Sequence, residues 1–207
     1  MRSRFITVEG LDGAGKSTQL DLAGTFLEQR GIPLCVTREP GGTTTGEALR
    51  ALLLDSKQAL HPETETLLMF AARREHIHEV IEPALARGDW VLCDRFTDAS
   101  YAYQAGGSGV AWAKIAALEA WVQGGLEPDL TLYFDVSPEV GRTRAGAIKT
   151  PDRFEQEHSD FHARVRAAYL RRAAEAPRRI RVIDANRSVD EVSAAAREIL
   201  VSLCEAP

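Results

Sequence analysis

The chain has few cysteines, no excess of positive charge and no long apolar run, and each of these absences excludes a class of protein. Its 207 residues include three cysteines, Cys35, Cys93 and Cys204, which are far apart and odd in number, so neither a disulfide framework nor a metal-ligand spacing is indicated. Acidic residues (30) outnumber basic residues (25), and the net charge of −5 implies no general affinity for nucleic acid or anionic membranes. No apolar run approaches the ~20 residues that cross a bilayer. The first apolar run begins at Phe5 and leaves no room for a signal peptide, so we expect a cytoplasmic protein.

The composition is otherwise that of an ordinary globular protein. Apolar residues make up 44% of the chain and charged residues 27%, and neither internal repeats nor low-complexity segments are evident. A chain of this length is expected to form one domain. We therefore predict a single domain over residues 1–207, with a short lid segment at about 142–153.

A phosphate-binding loop is the strongest motif in the sequence. Gly10, Gly15, Lys16 and Ser17 fill the pattern G-x-x-x-x-G-K-[ST]. Glycines allow successive backbone N–H groups to turn toward an anion, and the positive end of the following helix adds to the attraction. Lys16 is expected to reach the β- and γ-phosphates, and the Ser17 hydroxyl to bind Mg²⁺.

The context of this motif supports nucleotide binding over a glycine-rich turn that binds nothing. Phe5 to Val8 is a short, β-branched apolar run typical of a buried strand, and Leu20, Ala23 and Leu27 recur behind the loop at helical spacing. A chance match to the motif would rarely also lie between a strand and a helix. The sequence therefore predicts a nucleotide site.

Strand-like and helix-like segments alternate along the rest of the chain. This alternation predicts an α/β fold, a parallel five-stranded sheet flanked by helices on both faces as in P-loop NTP hydrolases. Ligands of such folds bind at the carboxyl ends of the strands. The predicted strands cover residues 5–8, 33–37, 90–93, 130–134 and 180–183, and the predicted helices include 44–54, 62–87, 110–123, 157–176 and 189–203.

Four further features suggest a second phosphorylated ligand. Arg38 and Arg95 each lie at the carboxyl end of a predicted strand and could hold a second phosphate. Phe70 and Arg74 are four residues apart on a helix and so share a face, which offers a flat surface and a forked donor to a base. The basic segment 142–153 could close over the phosphates. Each feature also has an ordinary alternative, namely a core phenylalanine, a solvated arginine, an Asp94–Arg95 ion pair and a solvated basic face.

Taken together, these motifs resemble the thymidylate (dTMP) kinase family within the P-loop nucleoside monophosphate kinases. The resemblance implies transfer of the γ-phosphate of ATP to dTMP, giving dTDP and ADP in dTTP biosynthesis. It also implies a homodimer and a requirement for Mg²⁺. The Arg-Glu-Pro-Gly-Gly-Thr loop and the Asp-Arg-Phe stretch are specific to the family, whereas the P-loop alone is not. The matching stretches are Phe5–Gln19, Thr37–Thr43, Leu67–Arg74, Val91–Gln104 and Asp152–Glu155.

The resemblance also implies roles for individual residues. Phe70 would stack on thymine, Arg74 would bind its O4 atom, and Tyr103 would pack against the sugar and favour deoxynucleotides. Asp12 would help to orient the phosphate acceptor, and Asp94 with Ser17 would position Mg²⁺. The remaining dTMP contacts would come from Arg38, Arg95, Ser100 and Gln104. The ATP contacts would come from Gly10, Leu11, Asp12, Gly13, Ala14, Gly15, Lys16, Ser17, Thr18, Arg144, Asn186 and Arg187.

The source of one catalytic charge is left open by the sequence. Some members of the family have an arginine at the P-loop position held here by Gly13, and others supply that charge from the lid. Gly13 places this chain in the second group. The lid cation, which would act with Lys16 and Arg95, is then Lys149 or Arg153. We favour Arg153, because it belongs to the matching Asp152–Glu155 stretch.

Two other functions are compatible with a P-loop. One is a related kinase that acts on another nucleoside monophosphate or on a deoxynucleoside. The other is a GTPase-like switch, which usually carries an Asn/Thr-Lys-x-Asp guanine motif that this sequence lacks. Residues 21–24 match an Asp-x-x-Gly switch pattern, but they fall in the helix directly behind the P-loop, where a switch segment does not occur.

Overall fold

A computed structural model describes residues 2–55, 57, 59–145, 153–154, 157 and 159–205. Their centre is a five-stranded sheet in which every neighbouring pair is parallel, with the strand order β2-β3-β1-β4-β5. The predicted fold class is confirmed. The strands are β1 Phe5–Gly10, β2 Leu34–Arg38, β3 Trp90–Asp94, β4 Leu130–Asp135 and β5 Ile180–Asp184.

Helices cover both faces of the sheet. Successive side chains of a strand point to opposite faces, and in β3 Leu92 packs with the helices of one face while Val91 and Cys93 pack with those of the other. Helices therefore exclude water from both faces of the sheet, which explains the continuous apolar runs of the strands. The described helices are α1 Lys16–Gln29, α2 Thr44–Leu54, α3 Pro62–His76, α4 Glu82–Ala86, α5 Thr97–Ser100, α6 Trp112–Gln123, α7 Pro138–Ala145, α8 Ser159–Glu175 and α9 Val189–Glu205.

The long helix predicted over 62–87 contains a π-helical turn. Ile77–Ile81 forms this turn between α3 and α4, and Pro83 follows in the first turn of α4. Proline has no backbone N–H and its ring crowds the carbonyl four residues earlier. A wider turn just before Pro83 accommodates both effects, so helical structure continues from α3 through the π-helical turn into α4.

Residues 97–107, which the sequence assigns to neither a strand nor a helix, are helical. After α5, a second π-helical segment covers Tyr101–Gly107 and packs against α8. A Cβ atom at Gly106 would lie 2.6 Å from the Ala168 side chain, and one at Gly107 would lie 2.5 Å from the Phe161 ring. These glycines therefore permit close approach of two helices.

The parallel register brings the loops of several strands to one edge. Arg38 pairs with Asp94, Val8 also pairs with Asp94, and Gly10 pairs with Phe134. The P-loop, the segment after β2 and the segment after β3 therefore share the carboxyl edge of the sheet. No helix among the described residues is long and apolar enough to cross a membrane.

Candidate active site

The P-loop connects β1 to α1 through backbone conformations that favour glycine. Gly13 and Gly15 have φ angles of +78° and +82°, and Gly15 is the N-cap residue of α1. A Cβ atom at Gly10 would lie 2.6 Å from the Phe134 carbonyl oxygen. The loop is therefore held against β4 and opens at the N-terminus of a helix, the arrangement in which backbone N–H groups bind phosphate.

Gly13 lies against α7, and no side chain fits there. A Cβ atom at Gly13 would lie 2.0 Å from the Gly141 carbonyl oxygen, and one at Gly141 would lie 2.8 Å from the Asp12 carbonyl oxygen. An arginine at position 13 is therefore incompatible with this packing. The contact gives a physical reason for the glycine that distinguishes this P-loop.

Lys16 is buried at the base of the loop. Its Nζ atom donates a hydrogen bond to the Leu11 carbonyl oxygen at 3.0 Å and lies 3.6 Å from the Asp12 carboxylate. Burial, first, and the charge of Arg95, second, lower the pKa of Lys16. Two cations thus face the same space, and an anion bound there would offset their repulsion.

A cavity beside the P-loop brings together eight of the predicted site residues. It contains the P-loop side chains, the residues after β3 and the π-helical segment that follows α5, which lie far apart in sequence. The predicted residues that line it are Asp12, Lys16, Ser17, Asp94, Arg95, Ser100, Tyr103 and Gln104, and residues not predicted are Glu39, Pro40, Arg50, Leu54, Met69, Arg73, Phe96, Ala99 and Phe154.

Arg95 is fixed by four contacts at the centre of this cavity. Its φ angle of +69° is rare for a residue other than glycine. Its guanidinium donates to Asp12 Oδ1 at 3.0 Å, to the Tyr103 hydroxyl at 3.1 Å and to the Tyr169 hydroxyl at 3.2 Å, and it lies 4.8 Å from the centre of the Tyr103 ring. Backbone strain of this kind is maintained where the surroundings over-determine a functional geometry.

Glu9 is a buried residue that helps to hold Arg95 in position. Its carboxylate accepts hydrogen bonds from the Phe96 backbone N–H and from the Tyr169 hydroxyl, both at 2.7 Å. Burial raises the pKa of Glu9 to about 7, against the opposing charge of Arg95. The carboxyl group therefore holds both the backbone after Arg95 and the tyrosine that contacts its guanidinium.

Arg50 lies closer to the cavity than the predicted Arg38. Arg38 is about half exposed, donates to Glu47 at 2.7 Å and does not line the cavity. Arg50, on α2, lines the cavity and donates to the Pro40 carbonyl oxygen at 2.8 Å. Burial, first, and then the charges of Arg38 and Arg95 lower the pKa of Arg50, so the three guanidiniums form one cationic cluster.

Phe70 and Arg74 do not form the predicted base site. Phe70 is 1% exposed and packs in the core with Phe5 and Phe96. Arg74 points away from the cavity, toward α6, and donates to the Val122 carbonyl oxygen at 2.8 Å. The pairing of an apolar residue with an arginine four positions later is present, but it is shifted by one residue.

Met69 and Arg73 occupy the face of α3 that lines the cavity. The Arg73 guanidinium lies 4.6 Å from the ring centre of Phe70 and donates to the buried Glu39 carboxylate at 2.8 Å. Its Nη2 atom donates to the Ser100 hydroxyl at 3.1 Å, whereas Nη1 is buried without a hydrogen-bond partner. The Phe70 ring thus packs against the Arg73 guanidinium, and Arg73 lines the cavity with the hydrogen-bonding capacity of Nη1 unused.

Gln104 is another polar residue that lines the cavity. Its Nε2 atom donates to the buried Glu65 carboxylate at 2.9 Å, which leaves the amide oxygen as an acceptor. Arg73 and Gln104 therefore offer a donor and an acceptor to a ligand in the same cavity.

The predicted adenine contacts lie together outside the cavity. Arg144, on α7, donates to the Ala185 carbonyl oxygen at 2.7 Å and to that of Asn186 at 3.4 Å. Asn186 in turn accepts from the Ser137 backbone N–H at 3.2 Å. Arg144, Asn186 and Arg187 thus border one loop.

Of the two candidate lid cations, the structure describes only Arg153. Lys149 lies outside the described residues. Arg153 is described, and its guanidinium pairs with Glu65 and donates to the Leu53 carbonyl oxygen at 3.1 Å. This places Arg153 among α2 and α3, and it does not line the cavity, so the structure does not support it as the cation that neutralises the phosphates.

Comparison with known proteins decides the family. A family model described as thymidylate kinase matches residues 8–196. Thymidylate kinases of Nitrosospira multiformis and Cupriavidus metallidurans are 61% and 60% identical, cover 93% and 98% of this chain, and are themselves covered over 94% and 100% of their length. The chain belongs to the thymidylate kinase family. A solved thymidylate kinase from Ehrlichia chaffeensis superposes with a TM-score of 0.79 at 34% identity, covering 97% of this chain and 99% of its own.

The prediction of a P-loop kinase for dTMP is therefore confirmed at the level of the thymidylate kinase family. Two oxygen-bearing side chains that suit Mg²⁺, Asp94 and Ser17, line the same cavity. The buried Oδ1 atom of Asp94 has no hydrogen-bond partner among the described residues. No group of three or more acidic, histidine or cysteine residues suited to a metal occurs in the described part of the chain. Ser17 and Asp94 supply oxygen atoms of the kind that Mg²⁺ prefers, and phosphate oxygens and water would complete its coordination.

The sequence alone did not indicate several of the residues that line or support this site, for identifiable reasons. Arg73 is next to Arg74, and only the rotation of α3 decides which one faces the cavity. Arg50 lies on the polar side of α2 and looks like a solvated charge. Tyr169 is on α8, 74 residues after Arg95, and no local signal points to it.

Proposed function

We propose that this chain transfers the γ-phosphate of ATP to dTMP, giving dTDP and ADP for dTTP synthesis. The observation that carries the proposal is the polarity of the cavity. One end has cations beside the P-loop, and the other has the donor Arg73 Nη1 and the acceptor Gln104 Oε1. This is the pattern that the monophosphate of a thymine or uracil nucleoside requires.

The cationic end accounts for the reaction. Phosphoryl transfer requires position and charge neutralisation more than covalent chemistry. Two anions must meet in line, and Lys16, Arg50 and Arg95 offset their repulsion from fixed positions. The acceptor phosphate is already ionised, so no general base is needed. Asp12 accepts from Arg95 and lies beside Lys16, where it would orient the acceptor.

The base end accounts for the choice of substrate. Thymine presents a carbonyl oxygen at C4 and an N–H group at N3. Arg73 Nη1 would donate to the first and Gln104 Oε1 would accept from the second. Met69 would supply the apolar surface against the base, a role for which its flexible thioether is suited. Cytosine reverses both groups and would leave buried donors and acceptors unpaired, which is costly.

Other residues would contact the sugar of dTMP, the adenine of ATP and Mg²⁺. Tyr103, with its hydroxyl held by Arg95 at 3.1 Å, would leave no space for a ribose 2′-OH. Arg144 and the loop at Asn186 and Arg187 would border adenine. Ser17 and Asp94 would hold Mg²⁺, which supplies charge neutralisation at the phosphates when it is bound.

Exposed apolar side chains on α3 and α6 support a homodimer. Leu67 is 56% exposed and Trp121 is 81% exposed, and a mostly apolar groove that includes Val110 and Leu118 lies between the two helices. Exposed apolar surface of this kind marks an interaction site. A second copy of the chain would cover it through a two-fold axis. A cytoplasmic location remains a prediction.

The test is ADP release with ATP and Mg²⁺ and, in separate reactions, dTMP, dUMP, dCMP, AMP, GMP and UMP. We expect a strong preference for dTMP. Turnover of another monophosphate in place of dTMP would be consistent with a kinase but would refute the assignment of thymine to this cavity. ATP binding without ADP release for any acceptor would favour a nucleotide switch.

A further inference from the structure

Glu65 is a buried carboxylate next to the base end of the cavity. It lies in the first turn of α3 and is 2% exposed, yet it does not line the cavity. Burying a carboxylate is costly unless it is paired and hydrogen-bonded. Its two oxygens contact two different parts of the chain, Gln104 and Arg153.

The first contact fixes the orientation of the Gln104 amide. Glu65 Oε1 accepts from Gln104 Nε2 at 2.9 Å. A carboxylate that is also paired with an arginine can only accept, so the amide must present its NH₂ group to Glu65 and its oxygen to the cavity. Without Glu65 the amide could rotate and present an N–H donor to the ligand instead.

The second contact holds the Arg153–Phe154 segment in place. Arg153 pairs with Glu65, donates to the Leu53 carbonyl oxygen at 3.1 Å and lies 4.4 Å from the centre of the Phe154 ring. Phe154 is 8% exposed, lines the cavity and meets the Tyr103 ring edge-to-face at 5.7 Å. The ion pair therefore holds an aromatic wall of the cavity against the tyrosine assigned to the sugar.

We propose that Glu65 is a positioning residue for pyrimidine recognition, because it orients the Gln104 amide and seats Arg153 and Phe154 at the cavity wall. It acts through these residues and does not touch the substrate. The proposal rests on the assignment of dTMP as the phosphate acceptor. It gives Arg153 a structural reason to lie away from the P-loop.

The decisive variant is Glu65→Gln in the full-length chain. A glutamine has one acceptor oxygen and cannot serve both Gln104 and Arg153. We expect KM for dTMP to rise about tenfold, the cost of one buried hydrogen bond, while kcat and KM for ATP change less than about twofold. The preference in kcat/KM for dTMP over dCMP should fall by a similar factor.

Three further variants separate positioning from a general loss of stability. Glu75→Gln is the control, because Glu75 lies on the same helix and makes no hydrogen bond or ion pair with the described residues, and it should behave as wild type. Arg153→Gln should raise KM for dTMP, and the double variant with Glu65→Gln should raise it no further than Glu65→Gln alone. If Glu65→Gln does not fold, Arg153→Gln carries the same KM comparison.

An unchanged KM for dTMP in Glu65→Gln, or equal losses for ATP and dTMP, would overturn the proposal. These outcomes differ from a failure of the proposed function. In that case the wild-type enzyme itself would show no preference for dTMP, before any variant is measured.

Discussion

At the scale of single residues, the site depends on which of two adjacent arginines faces the cavity. Arg73 is buried against the Phe70 ring, is paired with Glu39 and keeps Nη1 for a ligand. Arg74 is bound to the Val122 carbonyl oxygen and to Glu82. The two positions share residue type and helix, so they form a matched pair for experiment.

We expect Arg73→Gln to lower kcat/KM for dTMP by roughly ten- to a hundredfold, because a buried donor to the base is removed. Arg74→Gln should change it by less than about twofold. Steady-state kinetics with both variants test this, with thermal unfolding measured in parallel because Arg73→Gln also removes the buried ion pair between Arg73 and Glu39. A larger loss of kcat/KM in Arg74→Gln than in Arg73→Gln would instead support the base site predicted from the sequence.

Glu9 should make the stability of the protein depend on pH. Burial raises its pKa from 4.5 to about 7 in the folded chain, so the folded state binds this proton more tightly than the unfolded state. The resulting stabilisation is complete below pH 4.5 and is lost as the pH rises through 7, by up to about 3 kcal/mol.

Urea unfolding of wild type and Glu9→Gln at pH 5 and pH 8 measures this dependence. Glutamine mimics the protonated carboxyl group, so the loss of stability between the two pH values should be smaller in the variant. Equal losses in both proteins would show that Glu9 does not titrate in this range.

At the scale of elements, the P-loop is positioned by its contact with α7. Gly13 and Gly141 meet backbone to backbone, with no space for a Cβ atom on either. The P-loop geometry thus depends on a helix that begins 125 residues after Gly13, at Pro138.

We expect Gly141→Ala to raise KM for ATP several-fold, because the new Cβ atom would lie 2.8 Å from the Asp12 carbonyl oxygen and displace the loop. Gly24→Ala is the control. Its Cβ atom, on α1, would make ordinary contacts at 3.7 to 3.9 Å, so it should stabilise the fold by about 0.5–1 kcal/mol. Equal KM values for ATP in the two variants would contradict the role of this contact.

At the scale of the whole molecule, the exposed apolar surface on α3 and α6 predicts self-association. Trp121→Glu should shift the protein from dimer to monomer at micromolar concentration, because it places a charge in an apolar interface. Light scattering after gel filtration measures the mass. Val189→Glu, at an exposed apolar position on α9, should remain a dimer, and a monomeric wild type would refute the interface.

The sequence alone determined the sheet, the P-loop and the family. Each of these was predicted from a local pattern. Apolar runs mark buried strands, and the spacing of glycines marks the backbone conformation of the P-loop. The motifs around Arg38 and Asp94 directly follow the strands that position them. The helical character of 97–107 was missed because Gly106 and Gly107 serve helix packing, which no local pattern distinguishes from a loop.

Only the tertiary structure decided which side chains meet in the cavity. Met69 with Arg73 and Phe70 with Arg74 have the same spacing, so periodicity cannot choose between them, and the rotation of α3 against the sheet does. The support of Arg95 by Glu9 and Tyr169, and of Gln104 by Glu65, joins segments far apart in the chain. Such contacts follow from how the helices pack, and sequence spacing does not encode them.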